Sequence, residues 1–269
     1  MQILRFESND KKIYTGWQFD GHMANIIEGD IFSEFAVSSE KKIVKKFLPP
    51  VEPCAILCIG LNYRLHAKET GVALPKYPVL FMKNPGAATA HMSYVQIPFC
   101  CIRGPEVDYE AELAVIIKKP AKNVAVEKAL DYVLGYSCAN DISARKWQKN
   151  AGGGQWCRGK SFDTFCPFGP WIVSSDEIPN PGVLNIECSL NGEIMQKSNT
   201  RDMIFSVAEI ISFLSESTTL MPGTLILTGT PEGVGFTRKP PVFLKPGDVL
   251  ETRLDGIGIL KNTVIAEKK

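Results

Sequence analysis

The chain has 269 residues, 45% of them hydrophobic, with 30 basic and 29 acidic side chains and a formal charge of +1. This is enough apolar material for one large domain with at most a small appendage, and the balanced charge, with no basic run, argues against a nucleic-acid or membrane-surface partner. No apolar run reaches the roughly 20 residues of a transmembrane helix, and the opening "MQILRFESNDKK" has neither a secretory pattern nor the acid-free character of a transit peptide, so a cytoplasmic location is expected, with a mitochondrial one as the alternative.

Residues 1–37 read as short strands with turns: "QILRF", "IYTGWQF" and "HMANII". The charged, proline-ended "SSEKKIVKKFLPPVEP" reads as a linker. A boundary near residue 50 therefore separates a small N-terminal β region and linker, 1–50, from a main domain, 51–269. In that domain "AILCIG" reads as a buried strand, and "YRLHAKETG" as a short helix or turn stopped by Gly71. "VLFMK" and the longer "VDYEAELAVII" read as strands, "AVEKALDYVL" has helical spacing, and "GYSCAND" is a strand ending in polar residues. "LNIECSLNGEIMQ" predicts a hairpin at Asn191-Gly192, a favoured two-residue turn. "VAEIISFLSES" predicts an amphipathic helix, "GTLILTGT" a strand, and "GDVLETRLDGIGILKNTVI" a second hairpin at Asp255-Gly256. Strands outnumber helices and most neighbours look antiparallel. The expected class is α+β, with a large rolled or barrel-like sheet.

Gly154 to Ser161 has the written form of a phosphate-binding P-loop, G-x-x-x-x-G-K-S. A P-loop joins a buried strand to a helix that starts at the Lys-Ser pair. Here the upstream stretch is polar, Pro167, Gly169 and Pro170 follow, and Trp156 and Arg158 stand where backbone should approach phosphate. No nucleotide is expected. The eight cysteines include no C-x-x-C; they read as small apolar residues of a reducing compartment, without zinc.

In "EVDYEAELAVII" the side chains of a strand alternate faces, so Asp108, Glu110 and Glu112 share one. An exposed acidic face is the ordinary reading of such a pattern. Against it, the strand is apolar on both faces from Leu113, and a partly buried carboxylate cluster needs a cation. Hard oxygens suit Mg²⁺, Mn²⁺ or Ca²⁺. Asp141, at the end of a strand-like run, is a third candidate ligand; it reads equally as a helix N-cap. If a helix follows, Arg145 and Gln148 share its face. His66 has Glu69 at i+3, a spacing that lets a carboxylate hold the imidazole as a base. A surface His–Glu pair is the plainer reading of that spacing. His22 and His91 read as structural.

Taken together, "GLNYRLHAKETG", "PVLFMKNPGAATAH", "VDYEAELAVII", "GYSCANDISARKWQ", "QWCRGKSFDTFCPFGPWIV", "LTGTPEGVG" and "LKPGDVLETRLDGIG" resemble the fumarylacetoacetate hydrolase superfamily. They keep the family's order from about residue 54 to 265, and are most similar to the subgroup of domain-containing protein 2. The resemblance implies a β-rich mixed-sheet roll with few short helices, usually dimeric, and a metal, Mg²⁺ or Mn²⁺ with Ca²⁺ as an alternative, held by Glu110, Glu112 and Asp141. It implies a water-activating pair in His66 and Glu69, an active-site cation in Lys160, and substrate contacts from Lys83, Arg145, Gln148 and Thr230. Lys146 stands where relatives carry aspartate, which leaves the substrate preference open. The substrate class implied is a small oxo acid such as an acylpyruvate or oxaloacetate. The expected reaction is hydrolytic C–C cleavage. Tautomerisation or decarboxylation at the same site is the alternative, and metal and oxo-acid binding without catalysis is the remaining one.

Overall fold

The strand Ala111–Ile117 is buried at every position, and so is Val133–Asn140. Such strands need cover on both faces, and the architecture supplies it. In the computed structural model, which describes residues 1–101, 104 and 106–268, these two lie near the middle of a mixed twelve-stranded sheet. From one edge to the other its path is Phe35–Ile43, Met23–Gly29, Ile13–Trp17, Gln2–Glu7, Cys166–Ser174, Val133–Asn140, Ala111–Ile117, Leu225–Leu227, Ile56–Gly60 and Val79–Lys83. Two short strands branch off that path. A five-stranded sheet packs against the central strands; its order is Glu193–Asn199, Asn185–Leu190, Val249–Leu254, Gly258–Ala266 and Tyr94–Ile97. The main core fills the space between the layers. This is the strand-rich α+β roll expected from the sequence. Among the described residues no helix is long and apolar enough to cross a membrane.

Local chemistry explains several boundaries. Gly71 closes the helix Arg64–Thr70 in the left-handed region, φ 68°, where a Cβ would cost energy. Asn191 and Gly192 both have positive φ and turn the first hairpin. Ser206 and Glu209 form a reciprocal capping box at the start of Val207–Ser215.

Three expectations need correction, and one strand went unread. The stretch 38–53 is no linker: its first part continues the strand Phe35–Ile43, and Lys46–Leu48 pairs with Gln2–Glu7. The charges sit on exposed edge positions of those strands, which is why they read as linker. Gln2–Glu7 also pairs with Cys166–Ser174, so the first fifty residues prolong the main sheet while burying a small core of Leu4, Phe6, Ala24 and Ile26. Cys166–Ser174 itself is a strand, hidden in the sequence by Pro167 and Pro170. Prolines lack a ladder donor, and the ladder with Val133–Asn140 slips between Tyr136 and Cys138, skipping the Pro170 region. The stretch 125–134 forms only a short tight helix, Val126–Tyr132, before the next strand begins. Lastly, the strand expected over 107–117 is interrupted at Tyr109 and Glu110.

Candidate active site

That interruption builds the site. Val107 and Asp108 pair with Ala144 and Ser143, and Ala111–Ile117 pairs with Val133–Asn140 in the same antiparallel register. Between these two stretches the ladder opens, and Glu110 comes opposite Asp141, whose amide donates to the Glu110 carbonyl at 2.8 Å. Asn140 Oδ1 accepts from the Glu110 amide at 2.9 Å. Glu112, two residues on, shares the face. One carboxylate oxygen from each of Glu110, Glu112 and Asp141 lies within 4.8 Å of the others. All three residues are buried, so this is no exposed acidic face. No helix starts at Asp141, which removes the capping reading.

Lys160 Nζ donates to Glu110 Oε2 at 2.8 Å and Asp141 Oδ2 at 2.6 Å. Lys83 Nζ bonds the other Asp141 oxygen and the Ile142 carbonyl. The Gly229 amide donates to Glu112 at 2.6 Å. Three carboxylates against two ammonium groups leave one negative charge over. The electrostatics show the deficit: burial, with Asp141 and Glu110 alongside, pushes the Glu112 carboxyl far above the ordinary range. Burial opposes ionisation of Glu110 too, but Lys160 and Arg145 outweigh it and hold that carboxyl far below the ordinary range. A compact set of hard oxygens, one positive charge short, fits a divalent cation.

Lys160 ends the helical turn Cys157–Lys160, whereas a P-loop lysine begins its helix. Gly159 lets this turn lie against residue 148: a Cβ there would fall 2.4 Å from the Gln148 amide nitrogen. The amine is thereby delivered to the carboxylates.

On the helix Arg64–Thr70, His66 Nδ1 lies 3.1 Å from Glu69 Oε2. Glu69 also accepts from the Gly233 amide at 3.0 Å and Thr237 Oγ1 at 2.8 Å. Burial works against its charge, but the bonds from His66, Thr237 and Gly233 prevail and lower its pKa. A carboxylate facing Nδ1 places the proton there and leaves Nε2 as the basic nitrogen.

A cleft of about 230 Å³ opens over the triad. His66, Glu110, Glu112, Arg145, Gln148, Lys160 and Thr230 line it. Lys83, Glu69 and Asp141 do not; they stand behind, bonded to groups of the site. Arg145 NH1 reaches Gln148 at 3.1 Å, although only the wide turn Trp147–Ala151, and no helix from Asp141, carries Gln148. Lys146 is exposed and outside the cleft lining.

Sequence reasoning missed the part played by Asp108. Arg145 stands between it and Glu110, with Nε 2.9 Å from Asp108 and NH1 2.6 Å from Glu110. Asp108 also accepts from the Gly235 and Phe236 amides at 2.8 and 3.0 Å. Its face with Glu110 and Glu112 was legible, but the arginine that claims it was not. Asp108→Ala breaks one of the two buried ion pairs of Arg145 and frees the Gly235 and Phe236 amides, and should cost about 3–5 kcal/mol in denaturant unfolding; a loss under about 1 kcal/mol would show the contact to be dispensable.

The chain was compared with known proteins. Residues 55–265 match the family model for the fumarylacetoacetate hydrolase C-terminal region. A mitochondrial protein of Xenopus laevis named oxaloacetate tautomerase fahd2 is 46% identical over 217 residues, 81% of this chain and 67% of that protein. A solved 5-carboxymethyl-2-hydroxymuconate delta-isomerase from Mycobacterium smegmatis superposes with a TM-score of 0.86 at 32% identity, over 99% of this chain and 100% of its own. A fumarylacetoacetate hydrolase from psychrophilic Exiguobacterium antarcticum gives 0.87 at 35% identity, with the same coverage. With the matched region spanning the opened ladder, the His–Glu helix and the Lys160 turn, the chain belongs to the fumarylacetoacetate hydrolase family of enzymes.

Proposed function

We propose that the protein is a divalent-metal-dependent tautomerase of a small 2-oxo dicarboxylate, interconverting the enol and keto forms of oxaloacetate or a close analogue. The observation that carries this is the 46% identity to a named oxaloacetate tautomerase over a stretch that makes up 81% of the chain. It ranks tautomerisation above the hydrolysis expected from the sequence. Mg²⁺ or Mn²⁺ is the proposed ion and a homodimer the proposed assembly. Location stays a proposal as well: the relative is mitochondrial by name.

The chemistry moves one proton and breaks no C–C bond. Glu110, Glu112 and Asp141 would hold the ion, which when bound supplies positive charge for the 1-carboxylate and 2-oxygen of the substrate. From the keto form, His66 Nε2 takes a proton from C3, and the electron pair moves into the C2–C3 bond. The 2-oxygen becomes the enol hydroxyl by accepting a proton from Lys160. That conversion leaves His66 protonated and Lys160 neutral; proton exchange with water at the mouth of the cleft restores both, and the same steps run backwards turn enol into keto acid. Glu69, fixed by Gly233 and Thr237, keeps the imidazole oriented and supports its positive charge.

The second reading is C–C hydrolysis, favoured by the likeness to the Exiguobacterium enzyme. There the same His–Glu pair would activate water. The test offers Mg²⁺-loaded protein both oxaloacetate and an acylpyruvate, following enol absorbance and released pyruvate. Accelerated enol–keto exchange without pyruvate release is expected. Pyruvate release from the acylpyruvate, with exchange at the uncatalysed rate, would reverse the order of the two readings.

A further inference from the structure

Three cations line the cleft among the described residues, and two of them are committed. Lys160 pairs with Glu110 and Asp141, and Arg145 with Asp108 and Glu110. The third, Lys149, has no carboxylate partner. It is exposed, yet it is held: its Nζ lies 4.5 Å from the centroid of the Phe236 ring. That ring is itself fixed, because the Phe236 amide is bonded to Asp108 and the Arg145 guanidinium lies 4.5 Å from the same centroid. A ring face orients an ammonium without neutralising it. Lys149 is therefore a full positive charge, tethered in the wall of the cleft and available to a ligand.

Charge bookkeeping indicates what it would take. The triad with Lys83 and Lys160 carries one surplus negative charge; a divalent ion reverses this to one surplus positive charge. One carboxylate at the inner end balances it. A second carboxylate on the same ligand finds no partner there and lies toward the cleft wall. The turn Trp147–Ala151 presents Gln148 and Lys149 to that space. We infer that Lys149 is a specificity-determining residue that binds the distal carboxylate of the substrate, so that the cleft prefers 2-oxo dicarboxylates to 2-oxo monocarboxylates. The inference rests on the proposed substrate class and deepens it.

Oxaloacetate and pyruvate differ by that distal carboxylate alone. Their dissociation constants can be measured on Mg²⁺-loaded protein by tryptophan fluorescence, with Trp156 in the cleft lining as reporter. Lys149→Gln is expected to weaken oxaloacetate about tenfold or more, the loss of one charge-assisted hydrogen bond. Pyruvate should change by less than about twofold, as for a charge with no partner on the ligand. Lys149→Arg should retain most of the preference. Equal weakening of both ligands, or of neither, would overturn the assignment. A wild-type protein that binds both ligands but leaves enol–keto exchange uncatalysed would refute the tautomerase reading, while the comparison of the two ligands would still decide Lys149.

Discussion

Replacing Asp141 by asparagine is expected to weaken Mg²⁺ or Mn²⁺ binding by more than about 100-fold, since residues that merely orient a metal ligand already cost about 10–100-fold when replaced. Metal-dependent turnover should fall with it. Asp141 is fully buried and holds two ammonium groups, Lys83 and Lys160. Its neutral amide can accept from them but cannot balance them. Lys83 is then a buried cation with only the Ile142 carbonyl and a weak partner, so folding stability should drop as well. A second substitution separates the two effects. Lys83→Met in the Asp141→Asn background removes the stranded charge and should recover much of the melting temperature, but no metal affinity. Calorimetry that finds wild-type affinity in the folded single or double variant would remove Asp141 from the ligand set.

His66→Ala should lower tautomerase turnover by about 10²–10⁴-fold, the usual contribution of a positioned proton carrier. Metal affinity should stay near wild type, because His66 lies in the cleft wall and outside the triad. The discriminating readout is exchange of the C3 hydrogen with deuterium oxide. If His66 carries that proton, exchange falls in step with turnover; if it only shapes the cleft, KM rises while exchange at saturation persists. Glu69→Gln should give a smaller loss, since the Gly233 amide and Thr237 can still anchor an amide oxygen while the imidazole loses its counter-charge. An unchanged exchange rate in His66→Ala would make the histidine a bystander.

Much of this was legible because it follows short-range rules. The period of a strand put Glu110 and Glu112 on one side. Glycine and asparagine marked the end of the helix Arg64–Thr70 and the first hairpin. The i+3 spacing of His66 and Glu69 became a hydrogen bond. Other features depend on partners distant in sequence. Cys166–Ser174 is a central strand because Gln2–Glu7 and Val133–Asn140 flank it, and local proline content pointed the other way. Sequence alone excluded a nucleotide at Lys160, but what delivers its amine, the packing of Gly159 against Gln148, was not legible. Lys83 was expected against substrate, whereas its amine lies behind Asp141. The role of Asp108 needed both Arg145 and the amides of Gly235 and Phe236, 127 and 128 residues further along the chain.

The nine residues from Gly229 to Thr237 bind three carboxylates of the site. Their amides hold Glu112, Glu69 and Asp108, and Thr237 adds a second bond to Glu69. Several glycines there have no room to change: a Cβ on Gly233 would meet the Met195 carbonyl at 2.3 Å, and one on Gly235 the Val242 carbonyl at 1.9 Å. For laboratory evolution, this segment is a poor place to diversify, because one altered backbone angle disturbs the ligand set, the base and the arginine together. New substrate preferences are better sought in the turn 146–156, where Lys149 projects into the cleft without a carboxylate to release. A library confined to that turn would recover active variants with shifted specificity, whereas one of equal size in 229–237 would return mostly unfolded or metal-free protein.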